Sequence, residues 1–421
     1  MAAQSQTKPD LQSPLLEIGN GLRYLARQPI MDLHGKVHGY ELLYRAGPEE
    51  SFRGDGNMAT RTMLDNTVLF GLDRLASGVL AFVNCTLESL TESLVRVLPP
   101  DRTVLEILEN LEPTPSLIQA CRKLKASGFQ LALDDFTWKP NFDPLVDLAD
   151  YIKIDFIQSG PHERQCMIKR LRGVTKTLVA EKIETQEEYK QARQEGFTLF
   201  QGYYFCRPVL LKSRKIPANK LSQIKILQLL REDEIDLEKL TQLMKREASL
   251  TYRLLRLANS PICAIRHEVR SIHTALVMVG DEAFRRIAML AITSELNAGQ
   301  PTEILHMAFV RGRFCELAAD LCALDSTEQY LLGMLSLLPA MMRFPMEKLS
   351  PELPLREEIR SALEGNVNSE SILLQWIESC ERGDWAGCDA VAQAGGLKQQ
   401  DLVMCYARAV IWSEAALQLA A

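Results

Sequence analysis

The stretch TVLEILENLEPTPSLIQACRKLKASGFQLALDDF, residues 103–136, joins two short apolar runs through a longer amphipathic segment. The middle segment carries apolar residues at helical spacing and stops at Gly128, as helices commonly do. A strand, a helix and a second strand in this order predict one unit of an α/β fold. The second run ends in two adjacent acids, Asp134 and Asp135, which repel each other unless water or a cation screens them.

The same alternation extends from about residue 22 to residue 208. Eight runs predict strands: LRYLARQPIM, HGYELLYR, LAFVNCT, TVLEILE, LALDDF, YIKIDF, LVAEKIE and LFQGYYF. Beyond Pro208 the basic connector LLKSRKIPANKLSQ leads into segments with apolar residues at three- and four-residue spacing, which predict helices. We therefore expect a TIM-like (β/α)8 barrel over residues 21–208, followed by an all-α helical domain over residues 209–421. Residues 1–20 are interpreted as a disordered lead-in.

The composition argues against several classes of protein. The 421 residues include 48 basic and 54 acidic side chains, a net charge of −6 that argues against binding of a nucleic-acid polymer. The ten cysteines form no Cys-x-x-Cys pair, which indicates reduced thiols that fill core space. Charged residues interrupt every apolar stretch before the roughly 18 residues that a membrane span needs. We expect a cytoplasmic protein without a membrane segment.

Polar side chains end seven of the eight predicted strands. They are Glu41, Asn84, Glu106, Asp134, Lys153, Glu181 and Gln201. Active sites of eight-stranded α/β barrels lie at the C-terminal ends of the strands, so these side chains are expected to converge on one pocket.

The residue types in this set predict a particular chemistry. Several carboxylates with one asparagine, and without cysteine or histidine, form a hard oxygen site that suits Mg²⁺ or Mn²⁺. Two such ions bridged by a carboxylate can clamp the attacking and leaving oxygens of a phosphodiester. Asp134 and Asp135 are placed to bridge two ions, so a divalent cation is the simplest source of the screening that this pair needs.

Seven ordered motifs resemble a known family over roughly residues 22–208. They are RQPIMDLHGKVHGYELLYR, FVNCT, LEILE, LDDF, DYIKID, VAEKIET and FQGYYFCRP. In order and spacing they resemble the EAL domains of bacteria, barrel phosphodiesterases that linearise the second messenger cyclic di-GMP. The resemblance implies a first metal site made by four residues: Glu41, Asn84, Glu106 and Asp134. It places Asp135, with the shared Asp134, on the side of a second Mg²⁺ or Mn²⁺.

The resemblance also implies roles around the metal site. Lys153 corresponds to a lysine beside the metal-bound water, and Glu181 to the glutamate that acts as general base or orients that water. Gln201 corresponds to a glutamine that lines the same site. Gln28 and Arg45 correspond to positions that contact the dinucleotide, with Arg45 at a phosphate, where its planar fork can bond two oxygens.

Three departures from the family pattern surround this site. Leu42 replaces the alanine of the Glu-Ala-Leu signature, and Lys182 replaces a glycine beside Glu181. The segment TWKPNF, residues 137–142, replaces a glycine-rich loop that helps hold the second metal and that Glu109 would brace. Without those glycines the segment cannot follow the same path. Trp138 in this segment either covers the mouth of the site or plugs the space of the former loop.

The helical half resembles a second family over about residues 205–410. The segments PANKLSQIKILQLL, REASLTYRLLRLANSP, SIHTALVMVGDEAFRRIAMLAI and YLLGMLSLLPAMMRFPMEKL are similar to HDOD domains. HDOD domains are helical modules related to metal-dependent HD phosphohydrolases without their metal ligands. The chain contains no His-Asp dipeptide, in agreement with that loss. The resemblance implies a surface for a protein partner, which the sequence does not identify, or for the other domain.

Two functional hypotheses follow. In the first, the protein is a Mg²⁺- or Mn²⁺-dependent phosphodiesterase that hydrolyses cyclic di-GMP to linear pGpG. In the second, the barrel is catalytically silent and the protein acts as a regulator through contacts of its helical domain with another protein. The retained ligands favour the first hypothesis, whereas the altered loop at 137–142 and the partner-like helical half favour the second.

Overall fold

The computed structural model describes residues 24–45, 72–92, 94–171, 175–206, 218–230, 236–244, 247–260, 263, 269–353 and 355–420. The predicted lead-in over residues 1–20 lies outside this part of the chain. Residues 210–217 of the predicted connector lie outside it as well. Within the described residues, a region of strands and helices is followed by a region of helices from Ala218 onward.

Eight strands form a closed barrel in chain order. They are β1 Tyr24–Asp32, β2 Val37–Arg45, β3 Leu80–Cys85, β4 Thr103–Ile107, β5 Gln130–Leu133, β6 Tyr151–Asp155, β7 Thr177–Glu181 and β8 Leu199–Gln201. The strand β1 runs antiparallel to both β2 and β8, and the other neighbouring pairs are parallel. The barrel confirms the predicted fold class, although the sequence pattern did not indicate that β1 is reversed.

Described helices accompany the barrel and make up the second region. Those of the barrel region are α1 Leu72–Leu75, α2 Leu87–Thr91, α3 Pro115–Ala126, α4 Asp143–Leu148, α5 Pro161–Arg170 and α6 Gln186–Glu195. Those of the second region are α7 Ala218–Leu229, α8 Leu237–Met244, α9 Ala248–Ala258, α10 Ile272–Val279, α11 Asp281–Leu296, α12 Thr302–Ala318, α13 Ser326–Leu335, α14 Leu338–Met342, α15 Met346–Leu349, α16 Glu357–Leu363, α17 Ile372–Glu381, α18 Trp385–Ala394 and α19 Gln399–Ala420. None of the described helices is long and apolar enough to cross a membrane.

The turn after β7 ends at a well-capped helix. The Thr185 hydroxyl accepts a hydrogen bond from the Glu188 N–H at 3.2 Å, and the Glu188 carboxylate accepts one from the Thr185 N–H at 2.9 Å. This capping box satisfies backbone donors that the first turn of α6 would otherwise leave unpaired. At the other end Gly196 stops α6 in the left-handed region, with φ 101°. The short segment 182–184 therefore runs from the end of β7 to the capped start of α6.

A layer of apolar side chains fills the lower part of the barrel. It contains Ile30, Phe82, Val104, Ala132, Tyr151, Val179 and Leu199, all at most 5% exposed. The rings of Phe82 and Tyr151 meet edge to face with centroids 5.1 Å apart. A Cβ at Gly39 would lie 2.7 Å from the Phe82 ring, so the glycine makes room for that ring. This apolar layer is the floor on which the polar residues of the barrel rest.

The helical region packs along β1 and β2 through a buried polar network. The Tyr40 hydroxyl donates to Glu303 Oε2 at 2.6 Å, and an Arg27 Nη2 lies 2.9 Å from His306 Nε2. All four side chains are at most 8% exposed. Burial raises the pKa of the Tyr40 hydroxyl, and the neighbouring Glu303 carboxylate raises it further. Polar groups paired across a dry interface fix the orientation of the two regions, because sliding would leave them unpaired.

A second buried cluster joins the two regions close to the mouth of the barrel. The guanidinium of Arg311 on α12 lies 2.6 Å from Glu381 and 3.0 Å from Glu378, both on α17. It also donates to the hydroxyl of Tyr203, which follows β8, at 2.6 Å. Tyr203 donates in turn to Glu381. We refer to Tyr203, Arg311, Glu378 and Glu381 as the Arg311 cluster.

Candidate functional site

The side chains predicted at the strand ends form one polar layer above the apolar floor. Side chains alternate between the two faces of a strand, so a residue two positions beyond a floor residue also points into the barrel. This relation holds for six parallel strands, in the pairs Phe82 and Asn84, Val104 and Glu106, Ala132 and Asp134, Tyr151 and Lys153, Val179 and Glu181, and Leu199 and Gln201. In the antiparallel β1 the order is reversed, and Gln28 precedes Ile30. Gln28 and Glu41 pair directly across β1 and β2.

Lys153 lies at the centre of the polar layer. Its Nζ contacts four carboxylates, at 2.9 Å from Glu41, 2.6 Å from Glu106, 2.7 Å from Asp134 and 2.9 Å from Glu181. The Lys153 side chain is fully buried. One ammonium therefore faces four carboxyl groups contributed by four different strands or strand ends.

The pKa values of these groups reflect this imbalance of charge. Burial raises the pKa of Glu106 well above its usual value, and the neighbouring Glu41 carboxylate raises it further. Burial also raises the pKa of Asp134, and it raises that of Glu181 to about 8. Burial opposes ionisation of Glu41 as well, but the charge of Lys153 and hydrogen bonds from amides lower its pKa overall. Three of the four carboxyl groups thus bind protons more tightly than free carboxylates do, so a further positive charge among them would stabilise their ionised forms.

Amide groups hold the carboxylate of Glu41 in place. Asn84 Nδ2 donates to Glu41 Oε1 at 2.9 Å, and Gln201 Nε2 donates to Glu41 Oε2 at 2.8 Å. Gln201 Nε2 is also 2.9 Å from Gln28 Oε1. These bonds fix the rotamers of Glu41 and Asn84, which fixes where their oxygens point.

The donor set suits a divalent cation, although it is not arranged as a finished metal site. Asn84 Oδ1 and Glu106 Oε2 are buried and have no hydrogen-bond partner, although such oxygens are nearly always satisfied in folded proteins. Oxygen atoms of this kind are the preferred ligands of Mg²⁺ and Mn²⁺. Among the described residues, no three His, Cys, Asp or Glu side chains are spaced as ligands of one ion. The ammonium of Lys153 takes up the space between the carboxylates, so an ion would need Lys153 to withdraw.

The predicted residues at the edge of the layer have different surroundings. Asp135 lies beside the pocket with its carboxylate facing Lys182, at 3.4 Å. Gln28 lines the pocket and donates to the backbone carbonyl of Glu381 at 3.2 Å. Arg45 is the last residue of β2, but its side chain lies outside the described part of the structure. Its predicted contact with a phosphate remains a prediction.

The segment 137–142 closes against the barrel rather than over the pocket. Phe136 and Phe142 are buried at its two ends. The Trp138 ring meets Phe136 edge to face at 5.6 Å and lies under the guanidinium of Arg170 at 3.8 Å. Lys139 Nζ donates to the backbone carbonyl of Glu109 at 2.8 Å. Trp138 is not among the residues that line the pocket, so its packing favours the interpretation as a plug over that as a cover.

The pocket above the polar layer has walls from both regions of the chain. Its volume is about 710 Å³. The barrel contributes Gln28, Glu41, Asp134, Asp135, Glu181, Lys182, Gln201 and Tyr203, and the helical region contributes Arg311, Glu378, Glu381, Arg382 and Trp385. Sequence reasoning missed the helical wall, because no local pattern links residues near 380 to a strand near residue 28.

The chain matches two domain families, an EAL domain followed by an HDOD domain. The EAL domain family matches residues 81–208, and the HDOD domain family matches residues 216–364. The chain belongs to this EAL–HDOD family, as the sequence motifs predicted.

Two relatives extend over nearly the whole chain. The Bacillus subtilis protein YuxH is 32% identical over 400 residues, which are 92% of this chain and 97% of that protein. The cyclic di-GMP phosphodiesterase CdgJ of Vibrio cholerae is 31% identical over 399 residues, which are 93% of this chain and 92% of that protein. Among solved structures, the Bacillus subtilis YkuI protein, with an EAL domain and in complex with cyclic di-GMP and calcium, matches 53% of this chain and 70% of its own. That match has 21% identity and a TM-score of 0.38, so family membership rests on the two full-length relatives.

Proposed function

We propose that the barrel binds cyclic di-GMP together with Mg²⁺ or Mn²⁺ and hydrolyses it to linear pGpG. The observation that carries this proposal is the polar layer, in which Glu41, Asn84, Glu106 and Asp134 lie together at the barrel mouth and buried oxygens of Asn84 and Glu106 have no hydrogen-bond partner. Family membership supports the choice of substrate, since the relative CdgJ bears the name of a cyclic di-GMP phosphodiesterase. A cytoplasmic location agrees with this substrate and with ten free cysteines.

The divalent cation, when bound by the four converging residues, would supply Lewis acidity and charge neutralisation at the phosphate. The remaining roles belong to side chains of this chain. Burial raises the pKa of Glu181, so its ionised carboxylate is a stronger base than a free one and is proposed to accept the proton of the attacking water. Lys153, moved aside from between the carboxylates when an ion binds, is proposed to place its positive charge beside the attacking water and the developing negative charge on the phosphate. Gln28 and Arg45 are proposed to hold the dinucleotide, with Arg45 at a phosphate.

A catalytically silent regulator is the second candidate, because one observation favours it. The ammonium of Lys153 lies between the carboxylates that would bind the first ion, at 2.6 to 2.9 Å from each. If this ammonium stays in place, the barrel can bind a dinucleotide without turning it over. Under both candidates we infer that occupancy of the pocket by ligand changes how the helical domain binds a protein partner.

The shared pocket wall provides a physical route for this coupling. Gln28 bonds both to Gln201 in the polar layer and to the carbonyl of Glu381 on α17. A ligand that competes for the Gln28 amide would change its bond to α17. If the ligand binds more tightly when the helical domain is in one of two positions, ligand binding will increase the population of that position.

A hydrolysis assay with Mn²⁺ separates the two candidates. We expect the purified protein to convert cyclic di-GMP to pGpG, and Glu41→Ala to lower the rate by roughly 100-fold or more, since even indirect partners of a metal typically contribute 10- to 100-fold. Glu112→Ala is the matched control, because Glu112 is an exposed acid outside the pocket, and its rate should equal that of the unaltered protein. Binding of cyclic di-GMP without turnover in the unaltered protein would contradict hydrolysis and support the silent regulator.

A further inference from the structure

Lys182 places a second positive charge at the rim of the pocket. Its Nζ lies 2.5 Å from Asp155 Oδ2 and 3.4 Å from both carboxylate oxygens of Asp135. Lys182 directly follows Glu181 at the end of β7, and Asp155 ends the neighbouring β6. The ammonium thus joins two acids that follow different strands on the same side of the polar layer.

Asp155 is the group that most needs this cation. Its side chain is 4% exposed, while that of Lys182 is 45% exposed. The backbone N–H groups of Ile157 and Gln158 donate to Asp155 Oδ1 at 2.7 and 3.0 Å. Oδ2 is left to Lys182. Burying a carboxylate without a cationic partner costs free energy, so a positive charge between Asp155 and Asp135 stabilises the folded protein.

The backbone around this ion pair is strained on both sides. Asp135 has φ 41° and Lys182 has φ 55°, both in the left-handed region that side chains with a Cβ rarely adopt. Such strain, on the order of 1 kcal/mol or more for each residue, persists only where surrounding contacts impose it. Glycine, which the EAL family has at the position of Lys182, adopts this conformation without cost. The lysine therefore fits a backbone suited to glycine and adds a charge there.

We infer that the Lys182 ammonium replaces the second divalent cation of the site. The protein then holds one exchangeable ion, among Glu41, Asn84, Glu106 and Asp134, and one built-in cation, between Asp135 and Asp155. This inference rests on the proposed function, because it assumes that the pocket is a divalent-cation site. A monovalent ammonium offsets one of the two negative charges of Asp135 and Asp155, but it cannot activate water as a metal does.

The test counts Mn²⁺ ions bound per chain, by equilibrium dialysis with free Mn²⁺ measured by electron paramagnetic resonance. We expect Lys182→Gly to bind one more Mn²⁺ than the unaltered protein, since glycine relieves the strain and opens the space between the acids. The double variant Lys182→Gly, Asp135→Asn should lose that added ion. Lys139→Ala is the matched control, because this lysine lies outside the pocket and contacts a carbonyl rather than acids, and the variant should bind as many Mn²⁺ ions as the unaltered protein.

The difference in bound Mn²⁺ between Lys182→Gly and the unaltered protein tests the replacement by Lys182. The number of Mn²⁺ ions bound by the unaltered protein tests the proposed first metal site. Equal counts in the unaltered protein and in Lys182→Gly would overturn the inference, whatever the number bound. Failure of the unaltered protein to bind Mn²⁺ would contradict the proposed first site, while an ion gained in Lys182→Gly would still support the replacement. Lys182→Asn provides a second variant that removes the charge and tolerates a positive φ, and circular dichroism checks that each variant is folded.

Discussion

Replacing Lys153 with methionine is expected to lower the free energy of unfolding of the metal-free protein by roughly 3–5 kcal/mol, the usual cost of removing one partner from a buried ion pair. Methionine is close to lysine in length and apolar, so the change removes the charge with little change in packing. Four carboxylates within 2.9 Å of the ammonium would lose their common partner. Urea denaturation in the presence of a chelator measures the effect.

Added Mn²⁺ should restore much of the stability lost in Lys153→Met. An ion that binds only the folded carboxylates stabilises that state by mass action, and it no longer competes with the ammonium for them. Lys125→Met is the matched control, because Lys125 pairs with Asp150 at 2.8 Å with both side chains about one-third exposed. That pair should contribute less than about 1 kcal/mol. A Lys153→Met protein as stable as the Lys125→Met control in chelator would contradict the central role of the ammonium.

Replacing Arg311 with methionine is expected to destabilise the protein by a similar amount, roughly 3–5 kcal/mol. Arg311 is 1% exposed and holds Glu381, Glu378 and Tyr203 together between the two regions. The negative charges of Glu381 and Glu378 raise the pKa of Arg311 despite its burial, so the guanidinium is charged in the fold. Methionine would leave the Glu381 carboxylate buried without a cation. Urea denaturation followed by tryptophan fluorescence measures the loss.

Arg356→Met provides the comparison for the Arg311 cluster. Arg356 contacts three glutamates, Glu328, Glu358 and Glu370, but its own side chain is 41% exposed. Solvent screens such a pair, and its loss should change stability by no more than about 1 kcal/mol. If Arg311→Met and Arg356→Met lowered stability equally, the Arg311 cluster would not be the contact that holds the helical region against the barrel.

The polar layer could be predicted because the polar residues at the strand ends can be recognised in the sequence. Six of the predicted strands carry a floor residue and then, two positions later, a polar residue, as with Val104 and Glu106. The eight-stranded barrel was predicted from short apolar runs that alternate with amphipathic segments, and the succeeding helices from apolar residues at helical spacing after residue 210. The roles of the individual ligands came from resemblance to a family and remain proposals.

Other features depend on contacts that no local pattern records. The family resemblance implied a place for Lys153 beside a metal-bound water, which stays a prediction, and the four carboxylates around its ammonium became known only from the structure. The pocket wall from α17 and the following turn joins Glu381 to Gln28, which is 353 positions away in the chain. The path of segment 137–142 depends on the cation of Arg170 on α5, which lies over Trp138. Such contacts depend on how whole helices and strands pack against one another. The spacing of residues within one segment does not contain this information.

Calorimetric titration with cyclic di-GMP, with Mn²⁺ or with a chelator, tests most directly whether the strand-end side chains form one cation-dependent binding site. We predict saturable binding in Mn²⁺, clearly weaker binding in chelator, and loss of the difference between the two conditions in Glu41→Ala. Glu112→Ala should behave as the unaltered protein does. The absence of binding heat in both conditions, with the protein folded, would contradict the account.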